Sequence, residues 1–306
     1  MITLDNVISM QPLSVWARVR KVCADYIALS KPRIIVLLLV TALGGMMLAA
    51  QSIPAVSTMV LVLTGGALAA GGAGALNQLM ERDLDGRMKR TRHRPMPSIR
   101  IKPWHALVFG ITLNVVSFGL LAIWVNLLSA VLTISGTLYY VFVYTWWLKR
   151  STYQNIVIGG AAGAIPPLAG WAAVTGGLSL PAFYLFAIIF FWTPPHFWAL
   201  SLLIHRDYAE VGVPMLPVVG GIRETTKSIM LYSLILVSLT ILFYTTRAVG
   251  TLYLIGAAIL GIIFLFMAWR LLRNYNERVV RSLYLYSILY LGLLFIIIML
   301  DSVLAL

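Results

Sequence analysis

The chain alternates between long apolar runs and short polar connections. Runs long enough to cross about 30 Å of hydrocarbon as helices fall at roughly 34–50, 56–80, 106–125, 127–148, 156–174, 178–204, 229–246, 251–269 and 283–300, which predicts nine transmembrane helices. Several contain Gly or Pro, which a membrane helix tolerates because neighbouring helices re-satisfy the freed backbone groups. Ahead of the first run, Leu13, Trp16, Val19, Cys23, Tyr26 and Ile27 recur at the spacing of one helical face. That pattern predicts an amphipathic helix lying on the membrane surface. The expected fold is an all-α polytopic membrane protein. Residues 1–306 form one transmembrane domain in this reading, with 1–33 as a cytoplasmic amphipathic N-terminal segment.

Composition agrees. Of 306 residues, 60% are hydrophobic and 11% charged, with a mean hydropathy of +0.92. Soluble domains carry about 25% charged residues. Cys23 is the sole cysteine, which excludes an intramolecular disulfide and leaves a small buried apolar residue as its expected role. Ala49-Ala50 imitates a cleavage site, but too long a leader precedes it for a removed signal to be expected.

A net charge of +13 would suit a nucleic-acid binder, but the placement of the charge gives another cause. The segment before the first span holds Arg18, Arg20, Lys21, Lys31 and Arg33. The connection between spans two and three holds Arg82, Arg87, Lys89, Arg90, Arg92, Arg94, Arg100 and Lys102. Lys149 and Arg150 follow span four; Arg206, Arg223 and Lys227 follow span six; Arg270, Arg273, Arg278 and Arg281 follow span eight. Of the 23 basic residues, only Arg247 falls in the other set of connections. The positive-inside rule then places the N-terminus in the cytoplasm and the C-terminus outside. The lipid bilayer, with its anionic headgroups, is a sufficient partner for this charge, and nucleic acid is not expected.

Half of the ten acidic residues fall in two groups at that same face. The first reads Asn77-Gln-Leu-Met-Glu81-Arg-Asp83-Leu-Asp85. Asn77, Glu81 and Asp85 are spaced i, i+4, i+8 and stack on one face of a helix. Oxygen ligands in a row suit Mg²⁺, which takes one or two carboxylates and shares its remaining positions with water and substrate phosphates. Arg87, Arg90, Arg92 and Arg94 follow at once, and arginine forks grip phosphate oxygens. The competing reading is a solvated helix end whose acids pair with neighbouring arginines.

The second group, Asp207 and Glu210, follows Phe191-Trp192-Thr-Pro194-Pro195-His196-Phe197-Trp198. The two prolines are expected to disturb and kink the sixth span. An ionisable side chain inside a span is a functional candidate, though His196 bonded to a neighbouring helix is the plainer alternative. Asp207 shares a face with His196 if the helix continues that far. Tyr153 and Asn155 follow Lys149 and Arg150 at the membrane boundary, and the Gly159-Gly160 and Gly163 stretch permits close helix packing. Charged clusters at the mouths of long apolar helices suit a substrate with a diphosphate head and a greasy tail.

These residues carry a resemblance. The chain resembles the UbiA superfamily of intramembrane prenyltransferases from Leu29-Ser-Lys31-Pro-Arg33 to the last span. It does so through Asn77-xxx-Glu81-x-Asp83-x-Asp85, Arg90-Thr-Arg92-x-Arg94-Pro95, Trp147-Leu-Lys149-Arg150-Ser-Thr-xx-Asn155 and Gly163-Ala-x-Pro166-Pro167. Trp192-xx-Pro195-His196-Phe197 and Asp207-Tyr208 with Gly212-Val-Pro-Met-Leu-Pro217 look like the heme-modifying branch. Two positions depart from the superfamily: Glu81 stands where Asp is usual, and Asp207 with Glu210 only approximates its second acidic motif.

The resemblance implies a nine-helix bundle around a central cavity opening to the cytoplasmic face. It implies transfer of a farnesyl group from farnesyl diphosphate to a vinyl carbon of heme B, with water completing the side chain of heme O. Asn77, Glu81, Asp83, Asp85 and Asp207 are the implied metal and catalytic residues, with Mg²⁺ as cofactor. Arg87, Arg90, Arg92, Arg94, Lys149 and Arg150 are the implied diphosphate contacts. Trp192, His196, Trp198, Tyr153 and Asn155 are the implied substrate contacts. His196 is expected to meet heme, either as iron ligand or near the reacting vinyl. Asp207 is expected to hold a second Mg²⁺ or accept a proton. Association with heme A synthase or a terminal-oxidase assembly is a further expectation. A sister enzyme acting on an aromatic or quinone precursor shares all but the His196 signature. A transporter would place its charges near the midplane instead.

Overall fold

The computed structural model describes residues 14–304, so Leu13 of the predicted amphipathic face lies outside the described residues. Among the described residues, nine helices are long and apolar enough to cross a membrane, as the apolar runs predict. α1 (Val15–Ser30) precedes them, and Lys31, in the left-handed region at φ 54°, turns the chain straight into α2 (Pro32–Ala50). α3 (Val56–Met80), the short α4 (Arg82–Arg87), α5 (Pro103–Trp124) and α6 (Leu127–Leu138) follow. α6 runs on into a π-helical stretch, Tyr139–Leu148, closed by the turn α7 (Lys149–Ser151). α8 (Asn155–Gly159) and α9 (Ala161–Thr175) together make the fifth span, and α10 (Leu180–Leu203) the sixth. The short α11 (His205–Glu210) and α12 (Leu216–Val219) lead to α13 (Gly221–Leu242), α14 (Thr251–Arg273) and α15 (Glu277–Leu304).

The helices overrun the apolar runs at their charged ends. The run at 229–246 lies in a helix that begins at Gly221, and the run at 283–300 in one covering Glu277–Leu304. Hydropathy marks only the length immersed in hydrocarbon, whereas the first two turns, bearing Arg223, Glu224 and Lys227, stand in the polar boundary.

Two expectations are corrected, and α10 stays helical through Pro194 and Pro195. Each proline removes an N–H donor, but its fixed φ suits a helix, and both are buried against neighbouring elements. α10 then stops at Leu203, where Ile204 leaves helical geometry (φ −124°, ψ 23°), so no single helical face joins His196 to Asp207. Cys23 is exposed rather than buried. α1 meets the bundle through Leu29 and through Tyr26, whose ring lies 4.9 Å from Phe109, which leaves Trp16, Val19, Cys23 and Ile27 outward.

Two kinds of seam hold the bundle. Between α2 and α9 the backbones themselves touch: a side chain at Gly45 would collide with the Pro167 backbone, and one at Gly170 with the Ala42 carbonyl. Around α13, α14 and α15 large side chains fill the gaps. Phe243, Tyr253, Phe264 and Tyr290 are fully buried. The Phe264 and Tyr290 rings meet edge-on at 5.0 Å, and Tyr253 Oη donates to the Thr240 carbonyl at 2.9 Å.

Alternate connections gather at opposite ends, as the charge alternation requires. At the basic end Arg100 reaches Asp25 (2.9 Å), Arg150 reaches Asp83 (2.8 Å), and Arg87 donates to the Glu210 carbonyl (3.0 Å). At the other end Gln51 donates to the Ala248 carbonyl at 3.2 Å. There the buried Asp301 of α15 accepts from the backbone N–H of Gly250 (2.5 Å) and of Tyr253 (3.1 Å). Gly250 is the N-cap of α14 and has no side chain to cap it, so Asp301 caps that helix from a distance in sequence. Asp301→Ala strands two N–H groups and is expected to cost about 2 kcal/mol. It should lower the thermal midpoint in detergent, while Asp301→Asn, which keeps one acceptor oxygen, recovers part of the loss. Equal midpoints for wild type and Asp301→Ala would contradict the capping role.

Candidate functional site

The end of α3 carries the row of oxygens that the i, i+4, i+8 spacing predicts, and all three side chains are buried: Asn77 at 2% exposure, Glu81 at 3% and Asp85 at 3%. The row survives the helix end because α4 starts at once: Glu81 N–H donates to the Asn77 carbonyl (2.9 Å) and Asp85 N–H to the Glu81 carbonyl (2.8 Å). Each acceptor meets a cation from a different segment. Lys31 Nζ donates to Asn77 Oδ1 at 2.5 Å, Lys149 pairs with Glu81, and Arg94 Nη1 reaches Asp85 Oδ2 at 2.7 Å. Asn77 Nδ2 donates to Thr145 Oγ1 at 2.9 Å. Two carboxylates thus face three cations, which leaves positive charge in a low-dielectric place where an added anion is strongly favoured. Among the described residues no three His, Cys, Asp or Glu side chains gather as a ready metal cage. A Mg²⁺ here would draw on the Asn77 amide and the Glu81 and Asp85 carboxylates and would need water or phosphate oxygens to complete its shell.

The π-helical stretch serves this row. It places Thr145 against Asn77 and ends at Lys149, the partner of Glu81. It also stacks Tyr140 on Tyr144, ring centroids 5.6 Å apart, within electrostatic reach of Glu81. π-Helical segments often mark functional sites.

The remaining predicted residues divide. Asp83 turns outward, its side chain 56% exposed, and its two oxygens take a bidentate fork from Arg150 at 2.8 Å each. Arg92 is exposed beside His93, and Arg87 is spent on the Glu210 carbonyl. Tyr208 is buried on α11, where it feels the charges of Lys149, Arg90, Glu81 and Arg94. α11 therefore turns Tyr208 rather than the half-buried Asp207 inward. Tyr153 is exposed. Asn155 is fully buried, yet neither polar atom of its side chain has a partner, and Trp198 Nε1 and Ser201 Oγ are buried without one as well. Buried polar groups are normally satisfied, so Asn155 marks a place for a polar group from a ligand or water.

Deeper in the bundle, His196 is held between two rings. Trp192 stacks on it at 4.3 Å and Tyr284 of α15 at 5.1 Å. His196 Nδ1 lies 2.7 Å from Ser287 Oγ, which itself donates to the Tyr284 carbonyl at 2.6 Å. With its hydrogen committed there, Ser287 accepts from Nδ1–H, and the His196 lone pair is left on Nε2. Trp192 Nε1 donates to the Ser287 carbonyl at 2.7 Å, which fixes the same corner. Trp198 is turned elsewhere, edge-on to Tyr232 of α13 at 5.2 Å, so the predicted trio of Trp192, His196 and Trp198 is split.

Sequence reading missed Lys31, Thr145, Tyr208 and Ser287 as site residues. Lys31 and Tyr208 carried a signal, a lysine and a tyrosine inside motifs already singled out. Thr145 and Ser287 carried none, since a hydroxyl inside an apolar span usually bonds its own helix.

The charges act on one another. Burial pulls the Lys31 ammonium from its usual 10.5 down to about 8; Glu81 opposes that fall, while the Arg94 and Lys149 cations add to it. Burial alone would raise the Glu81 carboxyl, but Lys149 and Lys31 hold it below the ordinary carboxylate range. The Arg150 fork likewise lowers Asp83, and burial raises Tyr208.

Two outcomes follow. Lys31 is charged below about pH 8 and loses its proton as pH rises through that value. Binding of inorganic pyrophosphate, measured by calorimetry, should therefore weaken about tenfold across that range, as expected for one lost charge-assisted contact. Lys31→Arg should remove the step, and an unchanged step in that variant would exclude Lys31 as its source. In ¹⁵N-histidine spectra, His196 should show a protonated Nδ1. Ser287→Ala should disturb that signature while Ser287→Thr keeps it; a protonated Nε2 in the wild type would contradict the assignment.

The chain is 54% identical over 255 residues to a protoheme IX farnesyltransferase of Trichodesmium erythraeum, covering 83% of this chain and 78% of that one. It is 53% identical over 255 residues to one of Nostoc sp., covering 83% and 80%. Its fold matches a solved structure of digeranylgeranylglyceryl phosphate synthase with a TM-score of 0.77 at 18% identity, over 92% of this chain and 99% of that one. It also matches a UbiA homolog from Archaeoglobus fulgidus bound to GPP and Mg²⁺ with a TM-score of 0.64 at 15% identity, over 90% and 99%. The model of the UbiA prenyltransferase family matches residues 38–297, from the first span to the last, and the chain belongs to that family.

Proposed function

We propose that this enzyme transfers the farnesyl group of farnesyl diphosphate to a vinyl group of heme B, giving heme O. The observation that carries the reading is the buried row Asn77–Glu81–Asp85 facing Lys31, Lys149 and Arg94, a site with surplus positive charge at the mouth of apolar helices. The protoheme IX farnesyltransferases at above 50% identity support heme B as the acceptor.

In the reaction the C1–O bond of farnesyl diphosphate breaks, and diphosphate leaves with the electron pair. The vinyl group supplies electrons for the new C–C bond, and water then adds to the remaining cationic carbon and loses a proton. Lys31, Lys149 and Arg94 receive the negative charge that develops on the leaving group. Mg²⁺, held by Asn77, Glu81 and Asp85, would supply further charge neutralisation at the same oxygens. Tyr140 and Tyr144, stacked on the π-helical stretch that ends at Lys149, offer aromatic rings suited to an allylic cation. The farnesyl chain runs into a central cavity among the spans, which keeps bulk water from that cation. His196 presents Nε2 to the heme, and Asn155 receives a polar edge of a substrate.

The charge asymmetry supports an N-terminus in the cytoplasm and an external C-terminus, in the plasma membrane of a prokaryote. The same orientation opens the site to soluble Mg²⁺ and to diphosphate release. Handing heme O on to heme A synthase or a terminal-oxidase assembly fits a product this apolar.

The test is direct. Detergent-purified protein given heme B, farnesyl diphosphate and Mg²⁺ should yield heme O by mass spectrometry. Asp85→Ala and His196→Ala should each fall by at least about a hundredfold, the scale of losing one electrostatic contact to the reacting charge. Diphosphate release with an aromatic acceptor and none with heme B would keep the fold and overturn the acceptor.

A further inference from the structure

Asp83 and Arg150 belong to the motifs that build the buried row but turn away from it. They face an outward groove of about 630 Å³ at the basic end of α3, α5 and the fourth span, lined also by Arg82, Leu79, Trp104 and Leu107.

The groove is graded in chemistry. Toward the bundle it is apolar, with Leu79 on α3 and Leu107 on α5. Trp104, in the first turn of α5, is 66% exposed. Tryptophan at a helix end in this setting sits at the boundary between headgroups and hydrocarbon. Toward the polar boundary the groove is cationic. Its single carboxylate, Asp83, has both oxygens taken by Arg150, which also donates to the Met80 carbonyl at 2.9 Å. Arg82 enters no ion pair or side-chain hydrogen bond among the described residues, and Lys102 stands exposed just before α5. An occupant must match a free guanidinium at one end and an apolar floor at the other.

We propose that this groove is a binding site for one anionic glycerophospholipid, its phosphate on Arg82 and an acyl chain along Leu79, Trp104 and Leu107. A zwitterionic lipid offers the same chain but adds a cation beside Arg82 and Lys102. Basic pockets between membrane helices select anionic headgroups by this difference. The site is separate from the buried row and one residue from it: Arg82 follows Glu81, and Arg150 follows Lys149. A lipid phosphate at Arg82 therefore steadies the corner where α3 passes into α4.

Native mass spectrometry of the detergent-purified full chain, mixed with equal amounts of phosphatidylglycerol and phosphatidylcholine of the same acyl composition, tests this. Wild type should retain phosphatidylglycerol several-fold over phosphatidylcholine. Arg82→Gln should abolish the preference, and Leu107→Trp, which fills the floor, should lower retention of both lipids. Arg223→Gln, an exposed cation elsewhere on the same face, should keep the wild-type preference. Equal retention of the two lipids by wild type would overturn the proposal. So would a preference unchanged by Arg82→Gln, or one lost equally in Arg223→Gln, which would indicate diffuse charge attraction. All three variants alter lining or surface positions, and an unchanged thermal midpoint confirms folding before lipid is added.

Discussion

The basic end of the molecule depends on three cation–oxygen pairs that fasten the end of α3 to three distant segments. Lys31 comes from the corner between α1 and α2, Lys149 from the end of the π-helical stretch, and Arg94 from the connection before α5. Taking such charges out of water costs several kcal/mol per ion before any attraction is counted. The pairs offset that cost only while all are made, because removing one partner leaves a buried charge alone. Under the proposed function, a polyanion with bound Mg²⁺ would resolve the same problem in another way, offering negative oxygens to the cations and a cation to the carboxylates.

Much of the architecture is legible from hydrophobic pattern alone, because a bilayer admits few spanning structures and nine apolar runs leave little choice. The alternation of basic connections adds an independent constraint, and the ion pairs between those connections agree with it. The Asn77, Glu81, Asp85 row was also legible, since spacing by four survives a helix end when another helical turn follows directly. The same spacing sets Asp83 apart from the row. It stands two residues from both Glu81 and Asp85 and so points the other way, into the fork with Arg150.

What the sequence hid was mostly tertiary. Pro194 and Pro195 read as a disturbance of the sixth span, and only the packing of neighbouring elements around α10 shows why the helix continues through them. Ser287 reads as one more hydroxyl in an apolar span, and only its place across from His196 gives it a role. Asp301, the acid just past the last apolar run, gave no hint of its role, because its partner Gly250 lies in a different connection. The π-helical stretch has no clear mark in Tyr139–Leu148, where aromatic residues suit several helical windings.

The glycine seam between α2 and α9 divides the molecule mechanically. Backbone in contact with backbone has almost no compliance, since no rotamer can yield, so these two helices move together or not at all. The seams around α14 and α15 are filled by rings and aliphatic chains that can change rotamer. Compliance is therefore unevenly shared: the helices around α14 and α15 can adjust through rotamers, whereas α2 and α9 form a fixed wall.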